Sequence, residues 1–359
     1  MQIRAVLFPL ITIALPIAAL EGVFRLLPVS DPPPIMPVSA ADPVVRFAAN
    51  VDYVYSKGWN FSIVAWKRSN NYGYINQRDY DRRECDYLLV VIGDSFVEGY
   101  QIQAGRTAAE LLDRRTGPRD CVYSIGISGA ALSQYLVFAE FARTTFRPDA
   151  MAFVIVGNDF DESLLKYKSS PRLHYFREDG GSLVLQRVDY RMSGLKSVLR
   201  KSALIRYIVH NLDLEASLHR LVNRDQQDSE FVGNVAARVS AERLADSRRA
   251  IDEFVRQIPT RTGLGSDSVL LVMDGMRPAL YSTDSLRRAE GSYFAEMRRH
   301  LAVQARASGY TLIDMQPVFA ARHRLDQSRF EFAIDAHWNE LAHRLVADSI
   351  ADWLGQRRQ

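Results

Sequence analysis

Tyr87-Leu88-Leu89-Val90-Val91-Ile92 runs directly into Gly93-Asp94-Ser95-Phe96-Val97-Glu98-Gly99. An apolar run that stops abruptly at Gly-Asp-Ser reads as a buried parallel strand. Such a strand delivers its serine to the C-terminal edge of a sheet, where ligands and catalytic groups gather in open α/β folds. A serine is a weak nucleophile by itself. It needs a base, an orienting carboxylate and a site for the developing oxyanion. Gly-Asp-Ser alone says little, because Asp and Ser often serve only to cap turns and helices. The weight falls on three further segments.

Cys121 to Gln134 reads as a short strand, a turn containing Gly126 and Gly129, and then a helix to about Thr144. A backbone N–H at such a turn can face an oxyanion, and glycine allows close approach. Pro148 to Asp159 is another apolar strand with a polar end, where Asn158 is placed to donate its side-chain amide. Read singly, the first is an ordinary strand-to-helix loop and the second an Asx-turn. Phe332-Ala333-Ile334-Asp335-Ala336-His337-Trp338-Asn339 precedes a final helix to about Trp353. A loop there lets a carboxylate hold one imidazole nitrogen while the other faces a serine. None of the other six histidines has a carboxylate neighbour in a comparable strand-end loop.

Taken together, the four segments resemble the SGNH/GDSL hydrolase family over roughly residues 80–355, in family order. The resemblance implies an α/β, flavodoxin-like three-layer α/β/α sandwich around a parallel five-stranded sheet. It implies Ser95 as nucleophile, His337 as base and Asp335 as its partner. The oxyanion hole would come from the N–H groups of Ser95 and Gly129 and from the Asn158 side chain. Gly126 is the alternative glycine, although the one after Ile127-Ser128 matches the family better. Two departures stand out. Asp335 precedes His337 by two residues, where many members have three. Ala342-His343 stands where the last helix usually opens with Gly-His. The first is a known variant, and the second bears on packing.

With 359 residues, 47% of them hydrophobic and 24% charged, the chain has ample material for a core. A net charge of +3 is too small to argue for nucleic acid. No metal-binding spacing or dinucleotide loop occurs, so neither a metal nor a cofactor is implied.

Ala5 to Leu20 is uncharged, and Val23 to Leu27 prolongs its apolar surface past Glu21 and Arg25. Read to Leu27, the segment reaches the ~20 residues that span a bilayer. A signal anchor over 1–27 is the favoured reading, and a cleaved signal peptide and a buried helix are the alternatives. A Pro-rich linker over 28–45 would then lead to a domain over 46–359. The expected placement is a single-pass inner-membrane protein with a periplasmic domain. Cys85 and Cys121 precede strands expected to be parallel neighbours. A disulfide would suit that compartment, and two unrelated buried thiols are the alternative.

Strands fall near 87–92, 121–125, 151–156, 268–273 and 311–315. Helices fall near 106–115, 131–144, 238–257 and 289–308, the doubly wound alternation. An insertion over about 163–235 contains a hairpin turning at Asp179-Gly180-Gly181. It also contains an amphipathic helix, Leu195 to Leu212, bearing Lys196, Arg200, Lys201 and Arg206. That helix suits either anionic lipid or a cap with a solvated basic face. Asp94, Arg277 and Tyr281 are candidate substrate contacts, with a structural ion pair the alternative for Arg277.

The expected function is a serine ester hydrolase, or a related O-acyl transferase, on acetylated envelope glycans. The alternatives are a non-catalytic glycan-binding or scaffold module, and an accessory subunit working with a membrane acyl-donor protein.

Overall fold

The computed structural model describes residues 2–39, 42–189, 199–212 and 231–357, with the side chains of all these except residues 2–11 and 13. In chain order the first elements are α1 (Gln2–Leu26), β1 (Asp52–Lys57), β2 (Ile63–Arg68), β3 (Tyr87–Gly93), α2 (Ser95–Glu98), α3 (Ala108–Asp113), β4 (Asp120–Gly126), α4 (Leu132–Thr145) and β5 (Ala150–Ile155). The insertion contributes β6 (His174–Asp179), β7 (Ser182–Arg187), α5 (Ala203–Arg206), β8 (Phe231–Val232) and β9 (Val235–Ala236). The remainder is α6 (Ala241–Thr262), β10 (Val269–Met273), α7 (Thr283–Glu290), α8 (Tyr293–Ala307), β11 (Thr311–Asp314), α9 (Met315–Asp326), β12 (Glu331–Phe332), β13 (Asp335–Trp338) and α10 (Glu340–Arg357).

Five strands form one parallel sheet in the order β11-β10-β5-β3-β4. Read from the β4 edge, the chain order of these strands is second, first, third, fourth, fifth, the flavodoxin-like arrangement expected from the sequence. The apolar strands are buried on both faces because helices cover both. Leu88, Val90 and Ile92 of β3 enter the core shared with Phe138 of α4, Phe254 of α6 and Leu301 of α8. Leu89 and Val91 enter the opposite core, with Leu112 of α3, Phe319 of α9 and Val346 of α10. The order reverses at β3, whose two neighbours lead to different sides of the sheet. The crevice at the ends of β3, β4 and β5 is therefore the expected ligand position.

Cys85 and Cys121 form a disulfide, with Cα atoms 5.5 Å apart at a sequence separation of 36. It ties the beginnings of the adjacent strands β3 and β4, at the sheet edge opposite Ser95. In the chain-entropy picture, closing a loop of that length stabilises by about 3–4 kcal/mol.

The aromatic-rich stretch over residues 44–83, ahead of β3, packs on the domain: Phe47, Tyr53, Tyr74 and Tyr80 are core residues. In the insertion, β6 and β7 pair as a hairpin with Asp179 opposite Ser182. Its turn glycines, Gly180 and Gly181, both have positive φ, at 57° and 84°. The basic helix differs from expectation. Among the described residues 199–212, Leu199 is helical, a turn over 200–201 interrupts the helix, and α5 restarts at Ala203 and passes after one turn into a wider turn over Tyr207–Asn211. Lys196 lies outside the described residues. Arg206 faces the protein, donating to the carbonyls of Ser30 and Arg200.

Among the described residues, no helix is long and apolar enough to cross a membrane. Much of the span expected over 1–27 falls on residues whose side chains lie outside the described set. The end of α1 is docked firmly on the domain. Glu21 accepts from the Ser202 hydroxyl and from the N–H groups of Ala203 and Leu204, at 2.7 to 3.0 Å, capping α5. Phe24 stacks on Tyr207 at 4.2 Å between ring centres.

Candidate active site

Asp94 starts α2 by accepting the Phe96 N–H at 2.9 Å, so Ser95 becomes the first helical residue after β3. Its hydroxyl lies 2.8 Å from His337 Nε2. His337 Nδ1 lies 2.5 Å from Asp335 Oδ1, and the same oxygen accepts the His337 backbone N–H at 2.9 Å. These contacts fix a consistent protonation pattern. Nδ1 carries the proton toward the carboxylate, so Nε2 is left to accept from Ser95. Ser95, His337 and Asp335 thus stand in line across a sequence separation of 242.

The base is held in place from beneath. The Trp338 indole N–H donates to Asp274 at 2.8 Å, and its ring lies edge-on to Phe96, 5.1 Å between centres. Arg277 grips Asp274, at 2.7 Å in the closest contact, and donates to the Ala336 carbonyl at 3.0 Å. Tyr281 donates to Glu331 at 2.6 Å and accepts the Phe330 N–H at 3.0 Å. Arg277 is only 2% exposed at its side chain. Both residues serve the frame around β12 and β13; Arg277 is too enclosed for the substrate contact expected of it, whereas Tyr281 is half-buried. The ion-pair alternative for Arg277 is the one observed. Asp94 is likewise a buried cap, and burial raises its carboxyl to about 6 against the pull of the Phe96 N–H and His337. It is not an exposed substrate contact.

The proposed oxyanion residues occupy the same sheet edge, since Gly126 pairs with Gly93 and Phe153 with Ile92. Gly129 has φ +83°, a left-handed conformation that strains any other residue. Gly126 has a different reason to be glycine. A Cβ there would fall 2.6 Å from the Glu98 backbone nitrogen, so it seats β4 against α2. The Asn158 amide donates to Glu162 at 2.7 Å, and its oxygen accepts from Asn234. An amide has two N–H donors, so the Glu162 contact uses one of them.

Three contributors escaped the sequence reading. Lys57, at the end of β1, donates to Asp335 Oδ2 at 2.8 Å. The Gln101 amide approaches His337 Nδ1 at 3.0 Å. Glu98 accepts the Ser128 N–H at 2.9 Å and the Ser128 hydroxyl, pinning the loop that carries Gly129. Glu98 lies in the quoted opening stretch, but nothing local marks its partner 30 residues away. The buried His343 accepts the Ala108 N–H at 3.1 Å and caps α3. Burial holds its imidazolium form down, to about 3.

Burial pushes the Glu98 carboxyl up to about 8; the Ser128 donors work against that shift and Asp94 adds to it. A carboxyl raised above its unfolded value binds more protons in the native state between about 4.5 and 8. Stability contributed by this group therefore falls as pH rises through that window. Glu98→Gln is expected to flatten that part of the pH–stability curve. Urea midpoints at pH 5, 6.5 and 8 test it, and parallel slopes for variant and wild type would refute it.

No family model matches the chain. No curated protein matches it either. Solved structures do show similarity. The chain is similar to a member of the lipolytic protein G-D-S-L family from Veillonella parvula DSM 2008, at 12% identity and a TM-score of 0.38, over 74% of this chain and 97% of that one. It is similar to a lipase/acylhydrolase from Enterococcus faecalis, at 14% identity and a TM-score of 0.41, over 76% and 96%. A two-domain esterase active on acetylated mannans is similar at 14% identity and a TM-score of 0.40, over 77% of this chain and 50% of that one.

Proposed function

We propose that this protein is a serine ester hydrolase, or an O-acyl transferase of the same chemistry, with Ser95, His337 and Asp335 as its catalytic residues. The observation that carries the reading is the Ser95 hydroxyl 2.8 Å from an imidazole nitrogen whose partner nitrogen is held by a buried carboxylate. Ser95 Oγ attacks the ester carbonyl while His337 Nε2 takes its proton. The resulting oxyanion is received by the N–H groups of Ser95 and Gly129 and by the Asn158 amide. Collapse breaks the ester C–O bond, and the imidazolium returns its proton to the departing alkoxide. Water, or a sugar hydroxyl, then gives its proton to His337 and attacks the acyl-serine. The products are a free acid or a new ester, and Ser95 is regenerated.

An acetylated envelope glycan is the substrate class that fits this reading, with the domain outside the inner membrane and α1 as its anchor. Support comes from the disulfide, which suits an oxidising compartment. The apolar side chains of Leu15, Ile17, Leu20, Val23 and Leu26, exposed along α1, support it too.

One experiment addresses both parts. Intact cells are treated with a fluorophosphonate probe, and membranes are then washed at alkaline pH. A labelled band in the washed membranes is expected for wild type and absent for Ser95→Ala. Equal labelling of both removes the serine-enzyme reading, and a labelled band only in the soluble fraction removes the anchor. Purified protein with acetyl esters, with and without sugar acceptors, then separates hydrolysis from transfer.

A further inference from the structure

Asp335 is almost wholly enclosed, at 2% side-chain exposure, and each of its oxygens has a separate partner. Oδ1 serves His337 alone, through the ring Nδ1 and the backbone N–H. Oδ2 is held by the Lys57 ammonium at 2.8 Å. Lys57 comes from outside the α/β sheet, 278 residues earlier in the chain. Its position is built rather than incidental. The next residue, Gly58, donates its N–H to the Asn211 carbonyl at 3.1 Å. The preceding one, Ser56, is hydrogen-bonded to the buried Asn211 side chain at 3.0 Å. The turn at Gly58 also abuts Ile334, the residue before Asp335.

We propose that Lys57 is a positioning residue for this site, setting both the geometry and the charge that Asp335 presents to His337. The proposal rests on the serine-hydrolase reading above. Two physical effects follow from the contact. A second tether stops the carboxylate rotating about its terminal torsion, so Oδ1 stays aimed at Nδ1. The ammonium also shares the carboxylate's negative charge, and less of that charge remains to hold a second proton on the imidazole. Burial pushes the Asp335 carboxyl up, but His337 and Lys57 together outweigh burial and hold it well below the ordinary carboxylate range. Asp335 thus stays charged throughout the working range of an imidazole base. Other charged or titratable groups around the site are Asp94, Glu98, His343, Arg277 and Lys67, with Lys168 acting through Asp94. All are retained in the variants proposed here.

The test needs no knowledge of the natural substrate. The second-order rate of inactivation by a fluorophosphonate is measured from pH 5 to 9 for wild type, Lys57→Met, Lys57→Gln, Lys57→Arg and Ser95→Ala. Lys57→Met and Lys57→Gln are expected to lower the plateau rate on the order of 10-fold. They should also move the acid limb upward by about half a pH unit or more, the direction for loss of a nearby cation. Lys57→Arg should return the limb most of the way. A lowered plateau with an unmoved acid limb in both neutral variants overturns the proposal, since a merely structural lysine would give that result. A limb equally displaced in Lys57→Arg overturns it too. If wild type fails to label, or Ser95→Ala labels equally, it is the serine-hydrolase reading that falls.

Discussion

His337→Ala is expected to lower ester turnover by on the order of 10³-fold or more, because the Ser95 proton then loses its nearest acceptor. The imidazole is the group placed to take it, 2.8 Å from Oγ. Asp94 is the poorer acceptor: it takes a longer hydrogen bond from Oγ, at 3.3 Å, and is buried as a helix cap. Asp335→Asn should retain more activity than His337→Ala and still lose a large factor. An amide facing Nδ1 removes the acceptor that fixes the proton there, and it frees the ring to present N–H rather than a lone pair to Ser95. Activity of the wild type should fall on acidification, as the imidazole takes up the proton that blocks Nε2. Purified His337→Ala with near-wild-type turnover, and an unchanged Ser95→Ala background, would mean that the base lies elsewhere.

The second large effect concerns stability. Arg277→Met should cost about 3–5 kcal/mol, the range for breaking a buried ion pair from one side. Asp274 would keep only neutral donors from Gly275 and Trp338 around its buried charge. The Ala336 carbonyl, next to His337, would lose its Nη1 donor as well. Urea unfolding reads the loss, and Asp274→Asn provides a second measurement should the first variant fold poorly. Were Arg277 a substrate contact, its replacement would raise KM and leave the unfolding midpoint in place. That result would restore the role first expected for it.

The comparison between sequence and structure turns on how local each signal is. All five sheet strands stand within a few residues of the runs read from the sequence; β3, β4, β5 and β10 do so because strands covered on both faces must be almost continuously apolar. Ser95, Asp335 and His337 were legible for a related reason. Each sits where such a strand, or the last helix, gives way to polar residues. The functions of Arg277, Tyr281 and Asp94 were not legible. Whether a polar side chain faces a ligand or a neighbour depends on partners such as Ala336, Glu331 and Phe96, and only the first two residues reach far along the chain for theirs. Lys57 was the least visible of all. It occupies an ordinary position on a two-stranded ribbon, and nothing within many residues marks its carboxylate partner. The short helical start of α5 was missed because periodicity registers an amphipathic face without registering where a turn widens.

The 242 residues between Ser95 and His337 also bear on timing. Synthesis completes the nucleophile's strand long before the base exists, and the base is framed by Arg277 and Tyr281, which also come late. On the serine-hydrolase reading, a growing chain therefore carries an inert serine. Competence arrives only when the C-terminal segment closes against β3, a long-range contact of the kind that forms slowly. On that reading, any chain cut short before residue 337 would be chemically silent. Reaction with a serine probe thus reports a finished molecule.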